Sequence, residues 1–293
     1  MHISKAAIWL SVVVVLLAIM AAGAGLFWRS SGEPFAFTTL RDQAVQIYNQ
    51  GVYRYDTLFI GAGYKGQDLV VLFLGVPLLA LSILHYSRRS IAGRLLLAGT
   101  LGYFLYVYAS MALGAAYNRL FLLYVALFSA SLFAFILAFS AFDLDLFATH
   151  LAGNIPRRSL GIFLLVSGLV TLIVWGAPLV ASMINGSPPD RLDSYTTMVT
   201  YALDLAIITP STLISGILIL QGKPLGYLVS LPLLIIIIML VPQIILSTVF
   251  QQLAGVPFTT GEMVGPVTGF VVLGLIAIWL LISLLRSLRL SHS

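Results

Sequence analysis

Cysteine is absent and charge is scarce: none of the 293 residues is Cys, and only 9% are Asp, Glu, Lys or Arg. The first absence excludes structural disulfides, thiolate nucleophiles, iron–sulfur clusters and cysteine-built zinc sites. The second excludes an ordinary soluble domain, in which about 25% of residues are charged. Catalytic signatures are missing too. There is no Gly-x-Ser-x-Gly elbow, no His-Glu-x-x-His helix, no Walker loop, no Asp-x-x-x-Asp pair and no lysine in the seventh apolar run for a Schiff base. An intramembrane aspartyl protease would need two buried acids and a Gly-x-Gly-Asp pattern, and that pattern is also absent. The sequence therefore leans away from an enzyme without excluding one, and no cofactor is expected.

What is present is apolar sequence. Hydrophobic residues make up 60% of the chain and the mean hydropathy is +1.05. Runs long enough to cross about 30 Å of hydrocarbon recur eight times. They lie near 6–28, 69–85, 95–117, 120–142, 160–183, 199–220, 226–249 and 265–285. The fold class read from this pattern is an all-α integral membrane protein of about eight transmembrane helices in one polytopic domain, 1–293.

With the N-terminus in the cytoplasm, Lys5, Arg88, Arg89, Arg94, Arg157, Arg158, Lys223, Arg286 and Arg289 collect inside, against only Asp143 and Asp145. Outside, Arg29, Arg41, Arg54, Lys65, Arg119 and Arg191 face Glu33, Asp42, Asp56, Asp68, Asp190, Asp193 and Glu262. The positive-inside rule then puts both termini in the cytoplasm, in the cell membrane. The net charge of +5 is a topology signal answered by anionic lipid headgroups. A nucleic-acid partner is excluded because the basic residues are scattered over short loops and form no stripe. The first run resembles a secretory signal, but its length and the closing Phe27–Trp28 pair favour an uncleaved helix.

The longest polar segment, the outer loop 29–68, holds Thr39 and Asp42 in capping-box spacing. Leu40, Ala44, Ile47 and Tyr48 follow at helical spacing before Gly51, which predicts a short amphipathic helix. Two parallel four-helix repeats, 1–147 and 160–293, are suggested by Tyr64–Leu69 opening span two as Tyr201–Leu205 opens span six. The basic turns continue into Gly93-Arg-Leu95 and Gly226-Tyr-Leu228. In that register Asp68 and Asp204 are counterparts.

Few polar groups enter the spans. Asp204 is placed about one turn below the outer surface, where an ionisable side chain is costly unless paired, hydrated or protonated. Tyr201 is its neighbour, and Pro210 downstream frees a carbonyl and invites a kink. Asp68 is the second acid. The plainer reading of both is a carboxylate at the positive end of a helix. Gln243, after Pro242 in span seven, reads as interhelical glue or as part of a shared vestibule. Tyr103 and Tyr106 share one face of span three. Arg119 is a turn charge within reach of an outer carboxylate such as Asp68 or Asp204.

His85 and His150 fall near Asp143 and Asp145, yet no ligand spacing accompanies them and no metal site is expected. Gly61-Ala-Gly63-Tyr-Lys-Gly66 matches the dinucleotide fingerprint by letters only, since no βαβ unit surrounds it; backbone flexibility at the bilayer edge accounts for its glycines. Gly161, Gly168, Gly176, Gly216, Gly269 and Gly274 permit close helix contact.

The first functional expectation is a transporter-like bundle for an ion or small solute, with an outward acidic site built from Asp204, Asp68, Tyr201, Gln243, Tyr106 and Arg119. The alternative is a non-catalytic scaffold or accessory subunit with a protein partner or as a homo-oligomer. A lipid-modifying enzyme is third.

Overall fold

The computed structural model describes residues 4–88, 90–149, 151 and 155–290, excepting the side chains at 260, 262, 263, 266 and 288–290. Arg89 and His150 lie outside the described residues, as do the side chains of Glu262 and Arg289. Eight helices are long and apolar enough to cross a membrane: α1 (Lys5–Phe27), α2 (Leu58–Ser87), α3 (Ile91–Gly114), α4 (Phe121–Ser140), α5 (Arg157–Asn185), α6 (Val199–Leu220), α7 (Pro224–Leu253) and α8 (Thr260–Leu290). A short helix, Leu144–Thr149, lies between α4 and α5.

The first four helices pack α1 against α2 and α4, α2 against α3, and α3 against α4, while α5 to α8 pack in sequence order. The two groups meet where α7 crosses α2 and α3 and where α3 meets the first turn of α6. α3 is the most buried span. Its core consists of Leu97, Leu101, Tyr103, Phe104, Val107 and Tyr108, joined to Ile235, Ile236 and Met239 of α7. Large aliphatic side chains on the outer surfaces stay exposed, as expected of groups solvated by lipid tails.

Basic side chains fasten one end of the bundle. Arg157 donates from Nε to the Ile219 carbonyl at 3.0 Å and from Nη2 to Leu220, satisfying the last carbonyls of α6. Arg94 donates to Ala141 at the end of α4. The Ser4 N–H at the start of α1 donates to the Tyr86 hydroxyl at the end of α2.

The opposite end differs from the expectation of a short amphipathic helix. Phe35–Thr38 (β1) and Ala44–Ile47 (β2) form an antiparallel hairpin with Thr38 opposite Ala44. A 3₁₀ turn, Gly51–Tyr53, follows. Thr39 caps the hairpin turn, its hydroxyl accepting the N–H groups of Arg41 and Gln43. Asp42 adopts φ 57°, a left-handed conformation that ends any helix. Leu40 points fully into solvent and Ile47 inward. Alternation on a β-rich run thus prevails over the 3.6-residue spacing.

Span two also differs. It begins at Leu58 rather than Leu69, so Asp68 lies about 15 Å along a continuous helix. It does not mark a helix N-terminus, and the dipole reading fails for it. Both α2 and α6 contain a π turn, Val71–Gly75 and Asp204–Ile208. Pro77 and Pro210 follow two residues later. The same sequence interval separates the helix ends Ser87 and Leu220, the starts Ile91 and Pro224, and the glycines Gly93 and Gly226. A Cβ on either glycine would strike the preceding helix at matching places, His85–Tyr86 and Leu218–Ile219. In this register Val71 stands where Asp204 does, so the two acids are not counterparts.

Candidate functional site

Two buried carboxylates lie on either side of α3. Asp204 occupies the first position of the π turn in α6 and is 7% exposed. The Tyr106 hydroxyl of α3 donates to its Oδ1 at 2.9 Å. Trp175 of α5 lies beside it and packs on Tyr201 with ring centroids 4.4 Å apart. One turn outward, the hydroxyls of Ser110 and Thr200 share a hydrogen bond. The expected residues Asp204, Tyr106 and Tyr201 are therefore brought together, with Trp175 added from a helix whose sequence offered no polar signal.

Asp68 forms a separate centre. Tyr53 donates to its Oδ2 at 2.5 Å. Tyr64 packs beside Tyr53, with ring centroids 5.1 Å apart. The hydroxyl of Tyr108 is buried without a hydrogen-bond partner among the described residues. Gly25 of α1 passes so near that a Cβ there would overlap the Asp68 carboxylate. Gln243 closes the gap between helix groups: it accepts from Tyr103 at 3.1 Å and donates to Gln67 at 3.0 Å. Tyr103 and Tyr106, three residues apart on α3, thus bond to different helices, Tyr103 to Gln243 of α7 and Tyr106 to Asp204 of α6.

Arg119 does not reach either carboxylate. Its guanidinium lies over the Trp28 ring, 5.8 Å from the centroid, beside a small pocket with Ser30 and Asn118 at the hairpin end. The cation near the Asp204 side is Arg191, stacked 4.4 Å over Phe59. Arg191 lines a pocket of about 280 Å³ with Tyr64, Ser110, Trp175, Thr200 and Tyr201. Beside Tyr106 a second cavity of about 420 Å³ is walled by α3, α4, α6 and α7.

One functional-looking acid escaped the sequence reading. Asp56, fully buried just before α2, accepts on Oδ1 from the Ala116 N–H at 2.8 Å and from the Tyr195 hydroxyl at 2.7 Å. Its Oδ2 has no partner. Burial raises Asp56 from the usual carboxylate range to about 7, against the lowering effect of those two hydrogen bonds. Burial likewise raises Tyr195, with the Asp56 charge adding to it. Hydropathy counts Asp56 as one more loop charge and holds no sign of this burial.

Among the described residues no group of three or more His, Asp or Glu side chains is placed to hold a metal ion. The glycines of 61–66 lie inside α2. A Cβ at Gly63 would meet Gln251, and one at Gly66 the backbone at Ser247, so they let α2 approach α7 closely. Flexibility is not their role. Comparison with protein-family models, curated proteins and solved structures finds no match.

Proposed function

We propose that this protein is a membrane transporter for a cation or a small solute coupled to one, with Asp204 as the binding or protonation site and both termini on the cytoplasmic face. One observation carries the reading. A carboxylate at membrane depth, at the start of a π turn shortly before a proline, is held across the interface of the two helix groups by a single tyrosine hydroxyl. Such breaks in a helix ladder mark the places where a spanning helix bends, and transporters build their sites there. Reversible protonation or cation binding at Asp204 competes with the Tyr106 bond and so biases the packing of α6 against α3. The constant interval between the helix ends supports an internal four-plus-four duplication, with the site near the contact of the halves.

The test is proton and alkali-cation flux into proteoliposomes, wild type against Asp204→Asn. Loss of at least tenfold is expected, and unchanged flux overturns the reading. The cysteine-free chain permits a second measurement. A thiol at Asp204→Cys should react with a membrane-impermeant reagent from outside, with exposed Tyr117→Cys as the positive control.

The scaffold reading draws on a different feature. Ile173, Val180, Met183 and Ile184 on the outer half of α5 are exposed to an extent that suits a partner helix as well as lipid. It predicts a co-purifying subunit and no flux.

A further inference from the structure

Between α4 and α6 the bundle keeps a slot of about 420 Å³. α4 packs on α3 and α6 on α7, and the slot is the space left where these two pairs stand side by side. Its floor is buried, made of Gly102 and Ala109 of α3 and Pro232, Leu233 and Ile236 of α7. Gly102 makes that floor possible, since a Cβ there would press on Pro232. The flanks are only half-buried. Phe128, Leu132, Phe135 and Phe139 share one face of α4 over three turns, about 16 Å, and Leu203, Ile208 and Ser211 stand opposite on α6 with exposed Ile207. A closed floor between open flanks means that the slot opens sideways, between spans, into hydrocarbon.

The walls limit the occupant. A trapped water needs about two to four polar partners, and the side chains offer two hydroxyls, Ser211 and Tyr106, of which the second already donates to Asp204. Among the described residues no charged side chain lines the slot, Asp204 included, so an ion or a lipid headgroup finds no partner inside. Left empty, the space would forfeit dispersion contacts along every wall. What remains is hydrocarbon, and the medium at the mouth supplies it as flexible chains. The occupant also has a defined neighbour. Ile207 and Ile208 belong to the π turn that begins at Asp204, and Tyr106 lines the slot while its hydroxyl holds that carboxylate. A chain in the slot therefore packs against both elements joined by the Tyr106–Asp204 bond without touching the acid.

We propose that the slot binds one hydrocarbon chain of a bilayer phospholipid, which lies along the phenylalanine face of α4 and wedges against the π turn of α6, with the headgroup outside. This site goes beyond the transport reading and does not depend on it.

The experiment reconstitutes the full chain into phosphatidylcholine vesicles containing a small fraction of phosphatidylcholine with a diazirine on one acyl chain. Labelled residues are mapped by peptide mass spectrometry after irradiation, once in the vesicles and once after dissolving them in excess detergent. Exposed Ile173 and Val180 of α5 report ordinary surface contact with lipid. Detergent should cut their labelling at least tenfold, while labelling of Leu105, Leu132 and Ile207 stays within twofold. Leu132→Trp, which fills the slot, should lower labelling of Leu105 and Ile207 at least fivefold and leave α5 unchanged. Ile207→Trp narrows the slot from the other flank and should lower labelling of Leu105 likewise, which keeps the test open if Leu132→Trp does not fold. Slot labelling that vanishes in detergent together with that of α5 overturns the proposal, because the lipid is then only passing. So does the absence of slot labelling, and so does labelling indifferent to both tryptophans. Labelling by a free fatty acid with the same diazirine, and none by the phospholipid, overturns the phospholipid as the source of the chain. Asp204-dependent flux is read separately, so either reading can fail alone.

Discussion

Asp56 is the residue on which the hairpin end of the bundle is assembled. One oxygen ties the segment before α2 to the α3–α4 turn through Ala116 and to the α5–α6 loop through Tyr195. The Tyr195 hydroxyl in turn accepts the Thr57 N–H, and Arg41 of the hairpin turn donates to the Tyr195 carbonyl. With its carboxyl raised to about 7 in the folded protein and near 3.9 when unfolded, the group binds its proton more tightly in the folded state. Its contribution to stability is then full below about pH 4 and is lost as pH rises through about 7, on the order of a few kcal/mol. The thermal midpoint in detergent should fall between pH 5.5 and pH 8. Asp56→Asn, neutral at both pH values, should flatten that slope; a slope of equal size in the variant would assign the effect to another group. At this same scale Arg119 shows what a one-dimensional reading lacks. Its position at an outer turn was plain, but its direction, over Trp28 and away from both acids, depends on where α1 ends in space.

At the scale of the element, small residues decide which helices can touch. Gly66 faces the backbone of α7 at Ser247, and the contact is tied by the Ser247 hydroxyl donating to Gly63 and the Gln251 amide donating to Phe59. Gly161 and Gly216 face each other in the same way between α5 and α6. Gly176 and Gly269 have no neighbour near a Cβ and serve no contact of this kind. Gly66→Leu should lower the thermal midpoint by an amount corresponding to about 1–3 kcal/mol or more of overpacking, while Gly176→Ala should leave it within the error of the melt. Equal effects would mean that these glycines act through helix propensity alone. The hairpin and the π turns belong to this scale as well. Thr39, Asp42 and the 44–48 spacing were visible, yet the same letters satisfy a capped helix and a turn between strands. The Ile47–Thr57 bridge and the burial of Ile47 select the second.

Over the whole molecule, the ends of the helices sort by charge. Arg94 and Arg157 clasp neighbouring helices at one end, and Asp56 and the hairpin organise the other. With the basic end in the cytoplasm, Leu40→Cys at the hairpin turn should label with an impermeant thiol reagent on intact cells. Ser87→Cys at the end of α2 should label only after permeabilisation, and the opposite pattern would invert the topology. The number of spans, their order and the charge asymmetry were legible along the chain because burial in hydrocarbon acts on each segment separately: a run of twenty apolar residues crosses whatever its neighbours do. That Asp56, Asp68 and Asp204 are all buried, that Tyr106 meets Asp204 while Tyr103 meets Gln243, and that an apolar cavity lies beside Tyr106 depend on helix rotation and tilt. Hydropathy averages over those angles, so only the packing of α3 against α6 and α7 decided them.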